Sequence, residues 1–329
     1  MRRSIMIAAS VLVSAVFLWL ALRGVPLADV VEGIRRADPA WTLFAYITVL
    51  LGMWARAMRW SYGLLGGRLS PTQSFHILNA GMLINQLPLR VGEVMRVAFA
   101  GREGLPLVTG ATSIIVERLI DVVVCVLLLA VSVARLPNIP AWVAQATGIF
   151  GAVAVAALIV LIVLARYPAI AHTVLSAVES RLLFLKRLHL AVRLDEVLEG
   201  LRPLTTLRRA ALTLFWTGVG WGFSVVTFYA LQRSLFIEGV DLVTGAMLML
   251  ALASFSIAIP VSIASIGPFQ SAVRVAGDAM GIPVVDATTL GFLIHGINIA
   301  GYATLGVIGM ISIGASFRDV TGQRTPTGE

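Results

Sequence analysis

Five stretches of the sequence contain no Asp, Glu, Lys or Arg and are long enough, or nearly so, to cross a bilayer as helices. They are residues 4–22, 136–165, 210–232, 242–273 and 287–317. A transmembrane helix needs about 20 consecutive, mainly apolar residues. Of the 329 residues, 58% are hydrophobic and 13% are charged, about half the charged share of a soluble domain. The sequence therefore predicts an all-α polytopic membrane protein without a stretch long enough for a soluble enzyme domain.

We predict about seven to eight transmembrane helices. The spans that can be bounded are about 5–22, 41–65, 107–134, 140–165, 210–232, 242–260 and 286–317. We interpret the first as a signal-anchor, because it follows Arg2 and Arg3 and no small-x-small cleavage site precedes Arg23. The basic segment 166–209 is predicted to be amphipathic and cytoplasmic. Counting spans back from it places the N-terminus in the cytoplasm, and residues 318–329 form a polar tail. The expected location is the cell (inner) membrane.

The charge balance and the single cysteine narrow the function classes. Lys and Arg exceed Asp and Glu by 25 to 17, a net charge of +8. We attribute this excess to anionic lipid headgroups and positive loops, not to nucleic acid, since the arginines lie between spans. Cys125 is the only cysteine, which excludes a disulfide or a cysteine metal cluster within the chain. We expect no cofactor and no metal, because the sequence has no Gly-x-x-x-x-Gly-Lys-Ser/Thr loop and no histidine at helical spacing from the paired carboxylates.

A charged segment at 87–96 interrupts this apolar chain after 21 residues without charge. Two short apolar helices flank it, which predicts a re-entrant hairpin over about 72–101. Broken backbone at membrane depth is tolerated where it lines a cavity or is buried in protein. The alternative is an amphipathic surface segment. The candidate site residues of this hairpin are Asn85, Pro88, Arg90, Gly92, Glu93 and Arg96.

Two arginines of the second span, Arg56 and Arg59, lie three residues apart and share a helix face. Both side chains could extend to the cytoplasmic headgroups, with Trp60 in the interfacial aromatic belt. Alternatively, they hold an anionic headgroup.

The third span contains Glu117, Arg118 and Asp121. The two carboxylates are four residues apart and therefore stack on one face, and Arg118 can bridge to Asp121. Charged residues inside a membrane usually pair or line a pathway. One interpretation is a structural ion cluster that pairs with Arg90 or Arg96; the other is a functional site, and the two roles can coexist.

A second broken helix is predicted at about 261–281, where Gly267 and Pro268 interrupt an apolar run. Gln270 and Arg274 are its other candidate site residues. The two hairpins share short patterns, which suggests an internal repeat around a translocation site. Ser74–Ile77 matches Ser254–Ile257, and Gly104-x-Pro106 matches Gly281-x-Pro283. Both Gly-x-Pro segments follow an Arg-Val-Ala triplet.

The hairpin pattern Pro88-x-Arg90-x-Gly92-Glu93-x-x-Arg96, followed by Glu117-Arg118-x-x-Asp121, resembles the flippase-like family named after the membrane region of lysylphosphatidylglycerol synthase. The resemblance covers roughly residues 5–315. It extends to Arg56-x-x-Arg59-Trp60 and to Gly267-Pro268-Phe269-Gln270. Leu89 stands where the family often has Gly, and Gln270 stands where it usually has an acidic residue.

The resemblance implies lipid translocation. It also implies that the aminoacyl-transfer activity of the full synthase is absent, since about twelve residues follow Phe317 and the transferase needs a large further domain. Arg56, Arg59, Arg90 and Arg96 would accept the phosphate of a phospholipid or polyprenyl-phosphate-type lipid, to which arginine offers a bidentate fork. The carboxylates of Glu93, Glu117 and Asp121 would hold those arginines in place.

Two other function classes remain open. The first is an intramembrane enzyme that acts on a lipid phosphate or a polyprenyl-linked sugar, with Glu117 and Asp121 as an acid/base pair. The second is a structural partner of a membrane complex. The sequence favours a transporter that is not an enzyme. Its expected partners are the membrane, a lipid and either a second copy of itself or a lipid-modifying enzyme.

Overall fold

The protein is helical throughout the part of the chain that the computed structural model describes, which is residues 2–87, 91–136, 141–181, 194–195, 197–198, 201, 205–257 and 263–315. These residues contain no strand, which confirms the all-α prediction. The bounded helices are α1 (Arg2–Leu22), α2 (Leu27–Arg36), α3 (Pro39–Met58), α4 (Pro71–Ile84), α5 (Gly92–Arg102), α6 (Leu107–Val133), α7 (Ala141–Arg166), α8 (Pro168–Arg181), α9 (Leu207–Ser234), α10 (Leu242–Ile257), α11 (Pro268–Ala279) and α12 (Val284–Ser312).

Helix starts follow ordinary capping chemistry. Asp38 accepts the backbone N–H groups of Ala40 and Trp41 at the start of α3. Ser70 and Gln73 form a reciprocal capping box at the start of α4, with Pro71 at the first helical position. These local signals explain why the helices begin where the sequence suggests.

Three helices are long and apolar enough to cross a membrane by length and composition: α3 with its extension to Leu64, α9 and α12. Two bent pairs raise the number to five if each pair is one span. In the first pair, the chain bends by 74° between residues 11–22 of α1 and helix α2. In the second, it bends by 102° between residues 151–164 of α7 and the start of α8. Helix α6 has 27 residues, a length of about 40 Å, and it carries three charged residues near its middle.

The predicted span 41–65 is not one uniform α-helix. Helix α3 ends at Met58, and the chain continues as a π-helical turn, Arg59–Leu64. Such turns widen the helix and occur frequently at functional sites. Gly63 lies so close to Thr213 of α9 that an added Cβ would overlap its hydroxyl. The wide turn therefore sits tightly packed, with Arg59 and Trp60 buried.

Other bounds differ modestly from the predictions. The last span begins at Val284 and its helix ends at Ser312, and the span predicted to end at 260 is helical to Ile257. The short mixed-charge segment 23–40, between the first two predicted spans, includes helix α2. Within the predicted amphipathic segment, α8 ends at Arg181, and most of the remainder lies outside the described residues, as does the tail 318–329.

The helices enclose two apolar cores. One is formed mainly by α9, α10, α11 and α12, and the other by the end of α3, the π-helical turn, α4, α5 and α6. Helix α12 packs against two short helices, α4 and α11. Gly309 lies against the backbone carbonyl of His76 in α4, and Gly291 lies against the backbone of Gln270 in α11. A side chain at either glycine would push the packed helix away.

The first predicted hairpin corresponds to α4 and α5, which pack directly on each other. Gly92 lies against Gly81, where an added Cβ would overlap the Gly81 carbonyl oxygen and the Asn85 side chain. Pro88 and Arg90 lie outside the described residues. The second predicted hairpin corresponds to a 3₁₀ turn, Ile263–Ser265, followed by α11.

Helix α1 is hydrogen-bonded to α11. Arg274 donates hydrogen bonds to the carbonyl oxygens of Leu20, Ala21 and Arg23, at 3.0, 2.8 and 2.9 Å. These carbonyls belong to the C-terminal end of α1, where a cation is favourable. Ser271 donates to the Phe17 carbonyl at 2.8 Å. The proposed signal-anchor is thus an integral part of the helix bundle.

The connections that suggested a repeat do share a geometry. Gly104 and Gly281 adopt φ values of 84° and 78°, and each lies two residues before a proline that immediately precedes a helix. Gly24, between α1 and α2, has φ 75° and also precedes such a proline. The segment Ser74–Ile77 lies near the start of α4, whereas Ser254–Ile257 ends α10. The matched segments therefore do not occupy equivalent positions.

Candidate functional site

A cluster of charged side chains is built on the middle of α6. Glu117 and Asp121 are the eleventh and fifteenth of its 27 residues, so that they stack on one face. Both are buried, with 2% and 7% of their surface exposed. Carboxylates at this depth need cationic partners, because an unpaired buried charge is strongly destabilising.

Glu117 is held by three arginines from three elements. The terminal nitrogens of Arg96, on α5, donate to its two oxygens at 3.1 and 2.7 Å. Arg59, at the start of the π-helical turn, approaches at 3.3 Å. Arg118 donates from the same helix at 2.8 Å. The alternative of a structural ion cluster with Arg96 therefore describes the observed contacts.

Asp121 is held by Arg59 and by an indole. Arg59 donates to both of its oxygens, at 2.7 and 3.4 Å. The indole N–H of Trp221, on α9, donates to it at 3.1 Å. Arg59 therefore joins the two carboxylates and is itself only 1% exposed.

Trp60 packs against the buried side of the cluster. The guanidinium of Arg96 lies 4.0 Å from the centre of its ring, a cation–π contact. Its indole N–H donates to Ser113 at 2.9 Å, and Trp60 is fully buried. The interpretation of Arg59 as an arginine that extends to the headgroups, with Trp60 in the interfacial belt, is wrong. The carboxylates of α6 draw Arg59 inward instead.

The exposed edge of the cluster is formed by Arg118 and Glu93. Their side chains are 46% and 42% exposed, and Arg118 Nε lies 3.5 Å from Glu93 Oε1. Arg118 also lies 3.7 Å from Asp121, which confirms that it reaches that carboxylate. Its guanidinium is shared among three carboxylates, with a single short contact.

Arg56 lies beside the cluster without a carboxylate of its own in the described structure. It is half-buried and donates to Ser224 of α9 at 3.3 Å. Its guanidinium lies 5.6 Å from the ring of Trp221, the residue that donates to Asp121. Arg56 therefore adds a cation whose nearest polar partners are neutral.

The cluster carries excess positive charge. Its cations are Arg56, Arg59, Arg96 and Arg118, and its anions are Glu93, Glu117 and Asp121. Among the described residues, four positive and three negative charges leave a net charge of +1. The terminal nitrogens of Arg59 and Arg96 are paired with carboxylates, the Nε of each has no hydrogen-bond partner in the described part of the chain, and both side chains are closed to solvent. An incoming anion would therefore meet Arg118 and Arg56 first.

An apolar groove of about 460 Å³ opens between α6 and α7. It begins at Val123, two residues after Asp121, and extends along α6 to Ala134. Arg118, Val122, Val126 and Ala130 form one row at four-residue spacing, and the last two line the groove. This row connects the exposed guanidinium to the groove.

The other candidate residues lie elsewhere. Asn85 and Gly92 form the close contact between α4 and α5. Gly267 and Pro268 begin α11. Gln270 bonds to His295 at 2.9 Å and accepts the N–H of Gly267 at 2.8 Å. The hydrogen bonds of Gln270 and Arg274 therefore run to α12 and to the end of α1, and not to the charged cluster.

Two tryptophans were not predicted as site residues. Trp60 and Trp221 position an arginine and a carboxylate, respectively. In the sequence, Trp60 is notable only as the neighbour of Arg59. Trp221 has no local signal, because its partner is 100 residues away in the chain.

Among the described residues, no group of three or more His, Cys, Asp or Glu side chains is arranged to hold a metal ion.

Comparison with curated proteins and with solved structures found no match. The family model described as the lysylphosphatidylglycerol synthase TM region matches residues 7–306. This match covers most of the chain and agrees with the resemblance carried by the charged motifs. The protein is therefore a helical membrane protein that belongs to the family of the lysylphosphatidylglycerol synthase TM region.

Proposed function

We propose that the protein translocates a membrane lipid or lipid carrier whose anionic headgroup binds at the charged cluster. The observation that carries this proposal is the position and net charge of the cluster. It lies at the middle of a 27-residue helix, where charged groups are costly and usually mark a pathway. Its excess cation is presented by Arg118 and Arg56. Arg118 is 46% exposed and has one short contact, to Glu117 at 2.8 Å, beside longer ones to Glu93 and Asp121. Arg56 has no carboxylate partner among the described residues.

The groove beside Arg118 supports an amphiphilic substrate. Its volume of about 460 Å³ falls in the range of about 300–1,000 Å³ that is typical of ligand pockets. Its lining is Val, Leu, Ala and Gly, which suits an acyl or prenyl tail. A headgroup at Arg118 and a tail in the groove would place one lipid along α6.

The proposal includes a membrane arrangement. The protein would have seven to eight spans, re-entrant hairpins formed by α4–α5 and by the segment leading into α11, and a cytoplasmic N-terminus in the inner membrane. One helix of each hairpin, α4 in the first and α11 in the second, packs against α12. The protein would act as a transporter and not as an enzyme.

The test is lipid movement in liposomes reconstituted with the purified protein. Fluorescent phosphatidylglycerol should cross faster than in empty vesicles and faster than fluorescent phosphatidylcholine. Replacing Arg118 or Arg56 by Gln should slow the movement about tenfold or more, since a hydrogen bond to a charged group contributes about 1.5–3 kcal/mol.

Arg208→Gln is the matched control, because Arg208 is exposed in the first turn of α9. It should leave movement unchanged. Equal rates for protein-containing and empty vesicles, across phosphatidylglycerol and polyprenyl-phosphate probes, would refute lipid translocation.

A further inference from the structure

Glu93 differs from the other two carboxylates of the cluster in position, exposure and contact length. Glu117 and Asp121 are buried on α6, and their closest arginine nitrogens lie at 2.7 Å. Glu93 lies in the first turn of α5, is 42% exposed, and approaches Arg118 at 3.5 Å. It is therefore the carboxylate that can leave the cluster at the lowest cost.

We propose that Glu93 is an internal counterion that occupies the position of the substrate's anionic group and is displaced from Arg118 when the substrate binds. This inference rests on the proposed translocation of an anionic lipid. It assigns Glu93 the role of a competitor and assigns Arg118 the role of the receptor for the anion. The buried arginines Arg59 and Arg96 then hold the cluster together instead of binding the headgroup.

The charge of the cluster indicates the class of anion. Removing Glu93 changes the net charge from +1 to +2, and adding one singly charged group restores +1. A one-for-one exchange avoids building up charge in a poorly solvated environment, where an unbalanced charge is costly. The preferred group is therefore singly charged, which fits a phosphodiester on either a diacylglycerol or a polyprenyl chain.

The exchange also couples binding to the hairpin. Glu93–Arg118 and Arg96–Glu117 both join α5 to α6. Displacing Glu93 removes the first contact and leaves the second, which lies one helical turn further along α5. The first turn of α5 would therefore move away from α6 while the remainder stays attached.

The decisive experiment is the affinity of Glu93→Gln for a phosphodiester lipid. Short-chain phosphatidylglycerol, a polyprenyl phosphodiester and short-chain phosphatidylcholine are titrated against the purified full-length protein, with binding followed by native mass spectrometry. Glu93→Gln should bind either phosphodiester about 2- to 5-fold more tightly than the wild type, since a partly exposed ion pair is worth up to about 1 kcal/mol. The gain should vanish when Arg118→Gln is added.

Glu32→Gln is the matched control, because Glu32 pairs with Arg36 at 2.8 Å on the exposed face of α2. It should leave affinity unchanged. A purely structural role for Glu93, as a favourable acidic residue at a helix start, predicts lower stability without a gain in affinity.

A distance measurement tests the movement independently. Spin labels on Val94→Cys and Ile115→Cys, with Cys125 replaced by Ala, report the separation of α5 and α6 from two exposed positions. Phosphatidylglycerol should lengthen this distance in the wild-type background. In Glu93→Gln the distance should be long before lipid is added.

The outcomes separate the two proposals. Phosphatidylglycerol that binds the wild type but binds Glu93→Gln equally or more weakly overturns the counterion role and leaves lipid translocation standing. A wild type that binds none of the phosphodiester probes and moves no lipid refutes translocation itself. A gain in affinity confined to the diacyl or to the polyprenyl probe supports the exchange of Glu93 for a lipid anion. It also identifies which lipid tail the protein selects.

Discussion

Glu117 is the residue on which the buried half of the charged cluster depends. It accepts from Arg59, Arg96 and Arg118, which come from three different elements. Two of these guanidiniums are almost inaccessible to solvent. Buried pairs of this kind are expensive to break, because the partner left behind keeps its charge.

Replacing Glu117 by Gln should therefore lower the free energy of unfolding by about 3–5 kcal/mol. The measurement is denaturant-induced unfolding of the purified protein in detergent. Glu32→Gln removes the same charge from an exposed pair and should cost less than about 1 kcal/mol. If the two variants unfold at the same midpoint, Glu117 does not hold the cluster together.

At the scale of elements, the short helices α4 and α5 function as a packed pair. Their contact is made at Gly81 and Gly92, where the backbone of one helix meets the other. Helix α5 then delivers Arg96 to Glu117 and Glu93 to Arg118. The spacing of α4 and α5 thus sets the position of two members of the charged cluster.

Gly92→Ala should force α4 and α5 apart, because the added Cβ would overlap the Gly81 carbonyl oxygen and the Asn85 side chain. The expected cost is about 1–3 kcal/mol in unfolding free energy, as for other overpacked sites. Thermal unfolding in detergent measures it. Gly222→Ala, in α9, meets no atom within 4 Å and should stabilise the protein by about 0.5–1 kcal/mol. A neutral or stabilising Gly92→Ala would contradict this packing.

At the scale of the whole molecule, α9 is a long helix that contacts both apolar cores. Its 28 residues span about 42 Å, enough to cross a bilayer. Trp221 near its middle contacts the cluster, which places the cluster at about mid-depth if α9 spans the membrane. From the positive-inside rule we predict that the start of α9 faces the cytoplasm.

This arrangement predicts opposite accessibility for the two ends of α9. With Cys125 replaced by Ala, Glu238→Cys should react with a membrane-impermeant maleimide in intact cells. Arg208→Cys should react only after the membrane is opened. Both positions are exposed. The reverse pattern would invert the topology, and reaction at both positions in intact cells would mean that α9 does not span.

The helical, membrane-bound character of this chain could be predicted from its amino acids alone, because hydrophobic run length and capping residues act locally. The same holds for the choice of Arg59, Arg96, Glu117 and Asp121 as candidates, since charges in an apolar chain must be paired. Which charge pairs with which depends on the folded chain: Arg59 meets Asp121 across 62 residues, and α9 brings Trp221 to the same carboxylate across 100. Such contacts depend on how helices pack, and interhelical geometry is set by side-chain fit between segments that are distant in sequence.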